Sequence, residues 1–301
     1  MRLGIDLGGT AIKSGMVDET GQVHFAETTS TNTASGREAV LDALTEACKS
    51  QLKHEDVPSI GIGIPGFVDV ENGILVRSAN LPLDDTPIAE ILSKRLGKAV
   101  YLENDANCAL AGEIFAGCGR EASDFLMVTV GTGVGGGICL NKKIYRGVDG
   151  RAGEFGHMTV VMHGRPCPCT RIGCWEQYAS VTALCRMTKE AADEFPDSLL
   201  AQNIRETGVV NGRTAFEAAK NGCATAETVL EHYSENLAVG LNSLITIFRP
   251  ERIVLAGAIF KEGLPFLQRI QKYCLEPQYL MLSTLNGQAG LIGAALLGAT
   301  R

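Results

Sequence analysis

The sequence lacks the long apolar run that a membrane-spanning helix needs. Over 301 residues, no uninterrupted apolar stretch reaches the roughly 18 residues of such a helix. Asp6 also interrupts the N-terminal apolar stretch before a signal-peptide core could form. An excess of positive charge is missing as well, since the formal net charge is -7, which disfavours nucleic acid and anionic membranes as partners. We therefore expect a cytoplasmic protein with a small-molecule partner.

Three further patterns are absent. The chain has no G-x-x-x-x-G-K-[S/T] phosphate loop, no internal repeat with a period of about 20 to 50 residues, and no low-complexity linker. Its composition, with 45% hydrophobic residues, 20% charged residues and 35 glycines, is typical of a globular α/β protein. The length suits two domains.

Strand and helix patterns alternate along the chain. The predicted strands are residues 2–6, 11–18, 22–29, 60–64, 100–102, 125–130 and 252–255, with a hairpin turn near Asn141. The predicted helices are residues 37–52, 88–96, 106–115, 264–274 and 290–299, with mostly helix over 181–248. The first lobe is expected to end near Gly117.

Two glycine-rich loops are candidates for binding a ligand. Residues 6–10 read Asp-Leu-Gly-Gly-Thr between two predicted strands, and residues 131–137 read Gly-Thr-Gly-Val-Gly-Gly-Gly after a third strand. Their backbone N–H groups could approach phosphate oxygens, although an ordinary glycine turn also explains the first loop taken alone. The second loop contains G-x-G-x-x-G, but a hairpin pattern follows it where a dinucleotide-binding fold requires a helix. Together the loops predict a clamp on one polyphosphate.

Asp105 lies where a predicted strand gives way to a predicted helix. Side chains at that end of a strand face the ligand crevice in α/β folds. A carboxylate there can accept the proton of an attacking hydroxyl, so Asp105 is a candidate general base for phosphoryl transfer. Capping of the helix N-terminus is the alternative role for the same residue.

One histidine and three cysteines share the spacing H-x9-C-x-C-x4-C, at His157, Cys167, Cys169 and Cys174. This set of ligands indicates zinc, and a site with no open position would be structural and not catalytic. Buried thiols that hold no metal are the alternative. The remaining cysteines are predicted to be core thiols: Cys48, Cys108, Cys118, Cys139, Cys185, Cys223 and Cys274.

Taken together, these motifs resemble the ordered signature of the ROK (repressor, open reading frame, kinase) family of sugar kinases. The motifs are residues 6–10, Gly63-Ile64-Pro65-Gly66, Asn104-Asp105, residues 131–137, Glu154-Phe155-Gly156-His157, and the cysteine run into Trp175-Glu176. The resemblance implies an α/β, two-lobed actin-like ATPase (ribonuclease H-like) fold with an interlobe cleft. It places residues 1–117 and 289–301 in a small lobe and 118–288 in a large lobe with the zinc loop, and it implies a homodimer.

The same resemblance assigns roles to residues. Asp105 would be the base. The sugar hydroxyls would be held by Asn80, Asn104, Asp105, Glu154, His157 and Glu176, with His157 using its other ring nitrogen for the structural Zn2+. Mg2+ would be oriented by Asp6, and ATP would be held by Gly8, Gly9, Thr10, Gly131, Thr132, Gly133 and Gly257. Gly257 is the one glycine kept where the family often has three for the adenosine.

The expected reaction is transfer of the ATP γ-phosphate to a hexose, with glucose as the first candidate. N-acetylmannosamine, fructose, allose or a glucoside are alternative substrates. A sugar-sensing regulator without turnover, and an actin-like filament or chaperone ATPase, are alternative functions. Repressors of the family carry an additional N-terminal helix-turn-helix. Because the first glycine loop here begins at residue 8, we do not expect that module. The intact base and phosphate loops favour an enzyme over a sensor.

Overall fold

The computed structural model describes residues 1–299. The strands are β1 (Arg2–Leu7), β2 (Ala11–Val17), β3 (Val23–Ser30), β4 (Ser59–Ile64), β5 (Phe67–Asp69), β6 (Ile74–Arg77), β7 (Ala99–Asn104), β8 (Phe125–Val130), β9 (Val134–Leu140), β10 (Lys143–Ile144), β11 (Arg252–Ala256) and β12 (Leu280–Leu282). The α-helices are α1 (Arg37–Leu52), α2 (Ile88–Leu96), α3 (Asp105–Ala116), α4 (Glu176–Ala179), α5 (Val181–Glu194), α6 (Leu199–Thr207), α7 (Thr214–Lys220), α8 (Ala224–Phe248), α9 (Leu264–Gln271) and α10 (Ala289–Leu296).

The strands form two five-stranded sheets and one small hairpin. The first sheet has the order β3-β2-β1-β4-β7, in which β3, β2 and β1 are antiparallel while β4 and β7 run parallel to β1. The second sheet has the order β10-β9-β8-β11-β12, and β5 pairs with β6. The β9–β10 turn at Asn141 and Lys142 has φ values of 53° and 60°, as in the tight turns that match strand twist. The hairpin predicted after the second glycine loop is therefore present.

The chain divides into two compact units. Unit 1 comprises Met1–Met127, Gly137–Gly153 and the C-terminal segment from Ser283, and unit 2 comprises Val128–Gly136 and Glu154–Leu282. The lobe boundaries predicted from sequence stay a prediction, and their last two positions, 300 and 301, lie outside the described residues.

In unit 1, the small-residue helix α10 packs closely against the sheet. A Cβ added to Gly4 of β1 would lie 2.2 Å from the Leu291 carbonyl oxygen, and one added to Gly61 of β4 would lie 1.8 Å from that of Ala294. Because both strands present glycine to the helix, backbone meets backbone without side chains between them. α10 therefore backs the strands β1 and β4, and Asp6 lies near the end of β1.

In unit 2, one fully buried aromatic residue anchors the segment that follows the cysteines. The Trp175 indole N–H donates to the Asn236 carbonyl on α8 at 2.8 Å, and Gly240 of the same helix leaves room for the indole ring. Trp175 stands directly between Cys174 and Glu176, so this contact holds both neighbours.

Several predictions need correction. The helix predicted over 264–274 ends at Gln271, and the C-terminal α-helix ends at Leu296, followed by a 3-10 turn over Leu297–Ala299. The short strands β5, β6 and β12 were not predicted. Cys118, Cys185 and Cys274 are only partly buried, while the other four predicted core thiols are buried.

Within residues 1–299, no helix is both long and apolar enough to cross a membrane.

Candidate active site and metal centre

The first glycine loop, between β1 and β2, is held by its own backbone and by two threonines. The Gly8 N–H donates to the Ala11 carbonyl at 2.8 Å. The Thr31 hydroxyl donates to the Gly8 carbonyl at 2.7 Å, and the Thr33 hydroxyl donates to the Gly9 carbonyl at 3.2 Å. The carbonyls of the loop are thereby tied down.

Asn80 lies against this loop. A Cβ added to Gly9 would sit 3.2 Å from the Asn80 Cβ and 3.4 Å from its carbonyl oxygen. Gly9, which is predicted to bind phosphate, and Asn80, which is predicted to bind the sugar, are thus neighbours in unit 1, although they lie far apart in the sequence.

Asp6 has a basic neighbour that the sequence reasoning did not name. Asp6 and Lys13 are cross-strand partners, and the Lys13 Nζ lies 3.3 Å from the Asp6 Oδ2 and 3.5 Å from the Gly287 carbonyl. The hairpin predicted from the glycine turn could have revealed this pair, because the turn sets which residues face each other. A carboxylate and an ammonium therefore flank the loop.

Asn104, not Asp105, caps helix α3. The Asn104 Oδ1 accepts from the N–H groups of Ala106 at 2.9 Å and Asn107 at 3.2 Å, and its Nδ2 donates to the Gly66 carbonyl at 3.1 Å. Asp105 is the first residue of the helix, and its Oδ1 accepts from the Ala106 N–H at 2.9 Å. The capping role that competed with catalysis thus belongs to the neighbouring residue.

Three carboxylates converge around Cys108 on α3. They belong to Glu103, Asp6 and Asp105. Burial is the main reason that the pKa of the Cys108 thiol is raised well above its usual value, and the negative charges of these carboxylates raise it further. The charges of Asp6, the predicted Mg2+ residue, and Asp105, the predicted base, therefore both act on one buried thiol of unit 1.

In unit 2, the start of α5 holds the second glycine loop. The Val181 N–H donates to the Gly131 carbonyl at 2.9 Å, and the Thr182 hydroxyl donates to the Thr132 carbonyl at 2.7 Å. As in the first loop, carbonyl groups are used to hold the turn.

The carboxylate of Glu176 faces the same loop. Its Oε2 accepts from the Val134 N–H at 3.0 Å, and a Cβ added to Gly133 would lie 2.3 Å from that oxygen. Only a residue without a side chain lets the carboxylate come this close. Glu176, which is predicted to bind the sugar, therefore contacts the loop that is predicted to bind phosphate.

Gly257 lies at the base of the second loop. Its φ of 123° lies in the region that favours glycine. A Cβ there would lie 2.0 Å from the carbonyl oxygen of Val130, the residue that precedes Gly131. The one glycine of the stretch Leu255-Ala256-Gly257-Ala258 is thus at a position where the backbone requires it.

The ring of His157 points in two directions. Its Nδ1 lies 3.7 Å from the Cys167 sulfur, and its Nε2 lies 3.9 Å from the Glu154 Oε2. Glu154 is well exposed, with 58% of its side-chain surface accessible. One ring nitrogen therefore faces the Cys167 thiol, and the other faces Glu154, which is predicted to bind the sugar.

His157, Cys167, Cys169 and Cys174 form a candidate metal site. Their four ligand atoms all lie within 4.8 Å of one another, and the Cys169 and Cys174 sulfurs are 3.6 Å apart. Tetrahedral zinc with Zn–S bonds of about 2.3 Å would separate two sulfurs by roughly 3.8 Å. The donor set and its spacing therefore fit zinc.

Electrostatics around the thiols favour a bound cation. Burial first and the neighbouring thiols next raise the pKa of Cys174 to about 12, since close sulfurs resist carrying negative charge together. A metal ion removes that penalty, because thiolates bind it as anions.

The predicted site residues are divided between the two units. Unit 1 holds Asp6, Gly8, Gly9, Thr10, Asn80, Asn104 and Asp105; unit 2 holds Gly131, Thr132, Gly133, Glu154, His157, Cys167, Cys169, Cys174, Glu176 and Gly257. The roles of these residues stay predictions.

Comparison with known proteins decides the family. A sequence model described as the ROK family matches residues 2–301. The chain belongs to the ROK family. This ROK protein is 33% identical to a glucokinase of Halalkalibacterium halodurans, over 98% of this chain and 94% of the relative. It is 34% identical to a glucokinase of Thermotoga maritima, over 97% and 95%.

A solved structure bears on the fold of this ROK protein. The ROK family glucokinase of Streptomyces griseus, solved in complex with glucose and AMPPNP, aligns with a TM-score of 0.86 at 33% identity, covering 98% of this chain and 97% of that one. The fold is the α/β actin-like ATPase fold, as predicted.

Proposed function

We propose that this ROK protein is an ATP-dependent sugar kinase that converts glucose to glucose 6-phosphate. Near-full-length likeness to glucokinases, one of them solved with glucose and AMPPNP, supports this activity. The single observation that carries the mechanism is at the start of α3. Asn104 caps the helix, so Asp105 is not needed as the cap and its carboxylate can serve chemistry.

Asp105 is the general base in this proposal. Its carboxylate accepts the proton of the glucose 6-hydroxyl as that oxygen attacks the γ-phosphorus, and ADP leaves with the electrons of the broken P–O bond. Asp6 would hold Mg2+, which neutralises phosphate charge when bound.

Two groups of residues hold the substrates. The amides of Asn80 and Asn104 and the side chains of Glu154, His157 and Glu176 bind sugar hydroxyls, since each offers a donor or acceptor that an analogue lacking the hydroxyl would leave unpaired. The N–H groups of the loops at Gly8–Thr10 and Gly131–Gly133 bind phosphates, with Gly257 beside the nucleotide.

Zinc has a structural role in the proposal. Four protein ligands leave no open position for water, so His157 and the three cysteines brace the segment from Glu154 to Glu176. The chain around the site supports this role, because Trp175, the residue between Cys174 and Glu176, is buried and bonded to α8.

The remaining features concern the cell and the assembly. No disulfide joins any of the ten cysteines, all of which lie within residues 1–299, as is usual for proteins in a reducing compartment. We place the enzyme in the cytoplasm, with small molecules as its partners, and we infer a homodimer from the family. Sedimentation at a mass of one chain would contradict the dimer.

The activity is tested with a coupled ADP-release assay in ATP and Mg2+ across glucose, mannose, fructose, allose, N-acetylmannosamine and N-acetylglucosamine. We expect the highest kcat/KM with glucose. Asp105→Asn should lower kcat by about 100-fold or more, because the base is lost. Asp42→Asn is the matched control, since Asp42 is an exposed acid of the same unit and should leave kcat unchanged. A higher kcat/KM with another sugar would overturn glucose as the substrate.

A further inference from the structure

Glu103 is a buried carboxylate that the proposed mechanism does not use. It is the last residue but one of β7, directly before Asn104 and Asp105, and only 1% of its surface is exposed. Its Oε1 accepts from the Asn104 N–H at 3.0 Å and from the Asn107 side-chain amide at 3.1 Å. One oxygen of Glu103 therefore fixes the first turn of the helix that carries Asp105.

The other oxygen of Glu103 binds an arginine from a distant part of unit 1. The Arg146 Nε donates to the Glu103 Oε2 at 2.8 Å, and a terminal guanidinium nitrogen lies 2.7 Å from the same oxygen. Arg146 lies two residues after the end of β10. The pair therefore joins β7 to the loop after β10, 43 residues away.

That loop is closed on itself and lies on unit 1. The Ala152 N–H donates to the Arg146 carbonyl at 3.0 Å, which closes residues 146–152. The Arg151 guanidinium lies 4.3 Å from the centre of the Phe67 ring on β5. Ala152 precedes Glu154 by two residues, so the loop sets where the chain enters the segment of Glu154 and His157.

Stability alone is a weak reason for such a pair. Burying a carboxylate carries a large desolvation cost, and a buried ion pair often stabilises a fold no better than apolar residues of the same size would. The Asn107 Oδ1 is moreover buried without a hydrogen-bond partner within the described residues, which adds a cost of its own. What the pair does provide is a defined geometry, because the Glu103 carboxylate accepts four hydrogens from three residues.

We propose that Glu103 is a positioning residue, whose two oxygens hold the Asp105 end of α3 and, through Arg146, the loop that leads into Glu154. The role rests on the proposed kinase function. Glu103 touches neither substrate, and it acts by keeping the base and the chain before Glu154 in their reactive places.

The test compares Glu103→Gln, Arg146→Gln and the double variant. Each single variant should lower kcat and raise the glucose KM, for a combined loss in kcat/KM of roughly 10- to 100-fold, while the ATP KM changes less than about twofold. Arg146→Gln should also lower the unfolding temperature, because it leaves the Glu103 charge buried without its partner. The double variant should regain stability, since no unpaired buried charge remains, but not kcat. Arg146→Lys, which keeps the charge but not the planar fork, should have intermediate activity.

A second readout does not depend on turnover. Hydrogen exchange of the amides in residues 146–152 should accelerate at least fivefold in Glu103→Gln, as the loop loses its tie. Glu38→Gln is the matched control, because it removes an exposed ion pair with Arg95 in the same unit and should change neither activity nor this exchange.

The outcomes are distinct. A double variant whose kcat returns together with its stability would overturn the positioning role and leave a merely structural pair. Wild-type kinetics or unchanged loop exchange in Glu103→Gln would also overturn it, with the kinase function intact. A wild-type chain that phosphorylates no sugar would overturn the proposed function, and the role of Glu103 with it.

Discussion

The carboxylate of Glu176 lies against Gly133, with the Glu176 Oε2 accepting a hydrogen bond of 3.0 Å from the next residue, Val134. The side chain assigned to the sugar is thereby in contact with the loop assigned to the phosphates. One residue of unit 2 can therefore affect both substrates.

The first prediction concerns Glu176→Ala. It should raise the KM for glucose and the KM for ATP, each by roughly tenfold, because both a sugar contact and a support of the phosphate loop are removed. Glu217→Ala, an exposed position on α7 of the same unit, is the control and should leave both constants unchanged. Steady-state kinetics with each substrate varied in turn makes the measurement. A rise in the glucose KM alone would show that the loop does not depend on Glu176.

The second prediction compares two glycines with positive φ. Gly257→Ala adds a Cβ 2.0 Å from the Val130 carbonyl oxygen, whereas Gly222→Ala, at a φ of 82°, meets no atom within 4 Å. We expect Gly222→Ala to cost about 1–2 kcal/mol of unfolding free energy from backbone strain alone. Gly257→Ala should cost roughly 2–5 kcal/mol, because overpacking adds to strain. Urea denaturation measures both, and equal losses would refute the clash.

The third prediction concerns the metal. Purified wild-type protein should contain one Zn2+ per chain by mass spectrometry of its metals, and Cys169→Ser should contain none. Without the ion the unfolding temperature should fall and the glucose KM should rise, because the segment between Glu154 and Glu176 loses its brace. Cys185→Ser, at a partly buried thiol outside the cluster, should keep the ion. Retention of full thermal stability by metal-free protein would count against a structural role.

The fourth prediction follows from Glu113 on α3, a buried carboxyl whose pKa is raised above its usual 4.5, chiefly by burial. The Ser283 hydroxyl and, at 2.8 Å, the Cys118 N–H donate to it. Because the folded chain holds the Glu113 proton more tightly than the unfolded chain does, this group's contribution to stability is present below pH 4.5. It is lost as pH rises through the folded-state pKa.

Glu113→Gln removes this titration. The stability of the variant relative to wild type should therefore increase from pH 4.5 toward neutral pH, as chemical denaturation at several pH values would show. Glu46→Gln, on an exposed part of α1, should give a difference that does not vary with pH in this way. A constant difference for Glu113→Gln would mean that its pKa is not raised.

Local signals in the sequence sufficed for much of the candidate site. The glycine turns, the helix start at Asn104 and the cysteine spacing each depend on residues a few positions apart, so a pattern reveals them directly. The structure shows each of these features in place, and the four predicted metal ligands lie together. The short strands β5, β6 and β12 were missed because three or four residues carry too little periodicity to predict a strand.

The sequence by itself therefore determined the family signature, the fold class and the types of residue that the chemistry needs. Only the tertiary structure decided which distant residues meet: Asn80 beside Gly9, Glu176 beside Gly133, and Glu103 paired with Arg146. The physical reason is that a local pattern reports how a segment folds and which face it buries. The packing of whole strands and helices decides what that face touches, and no single segment contains that information.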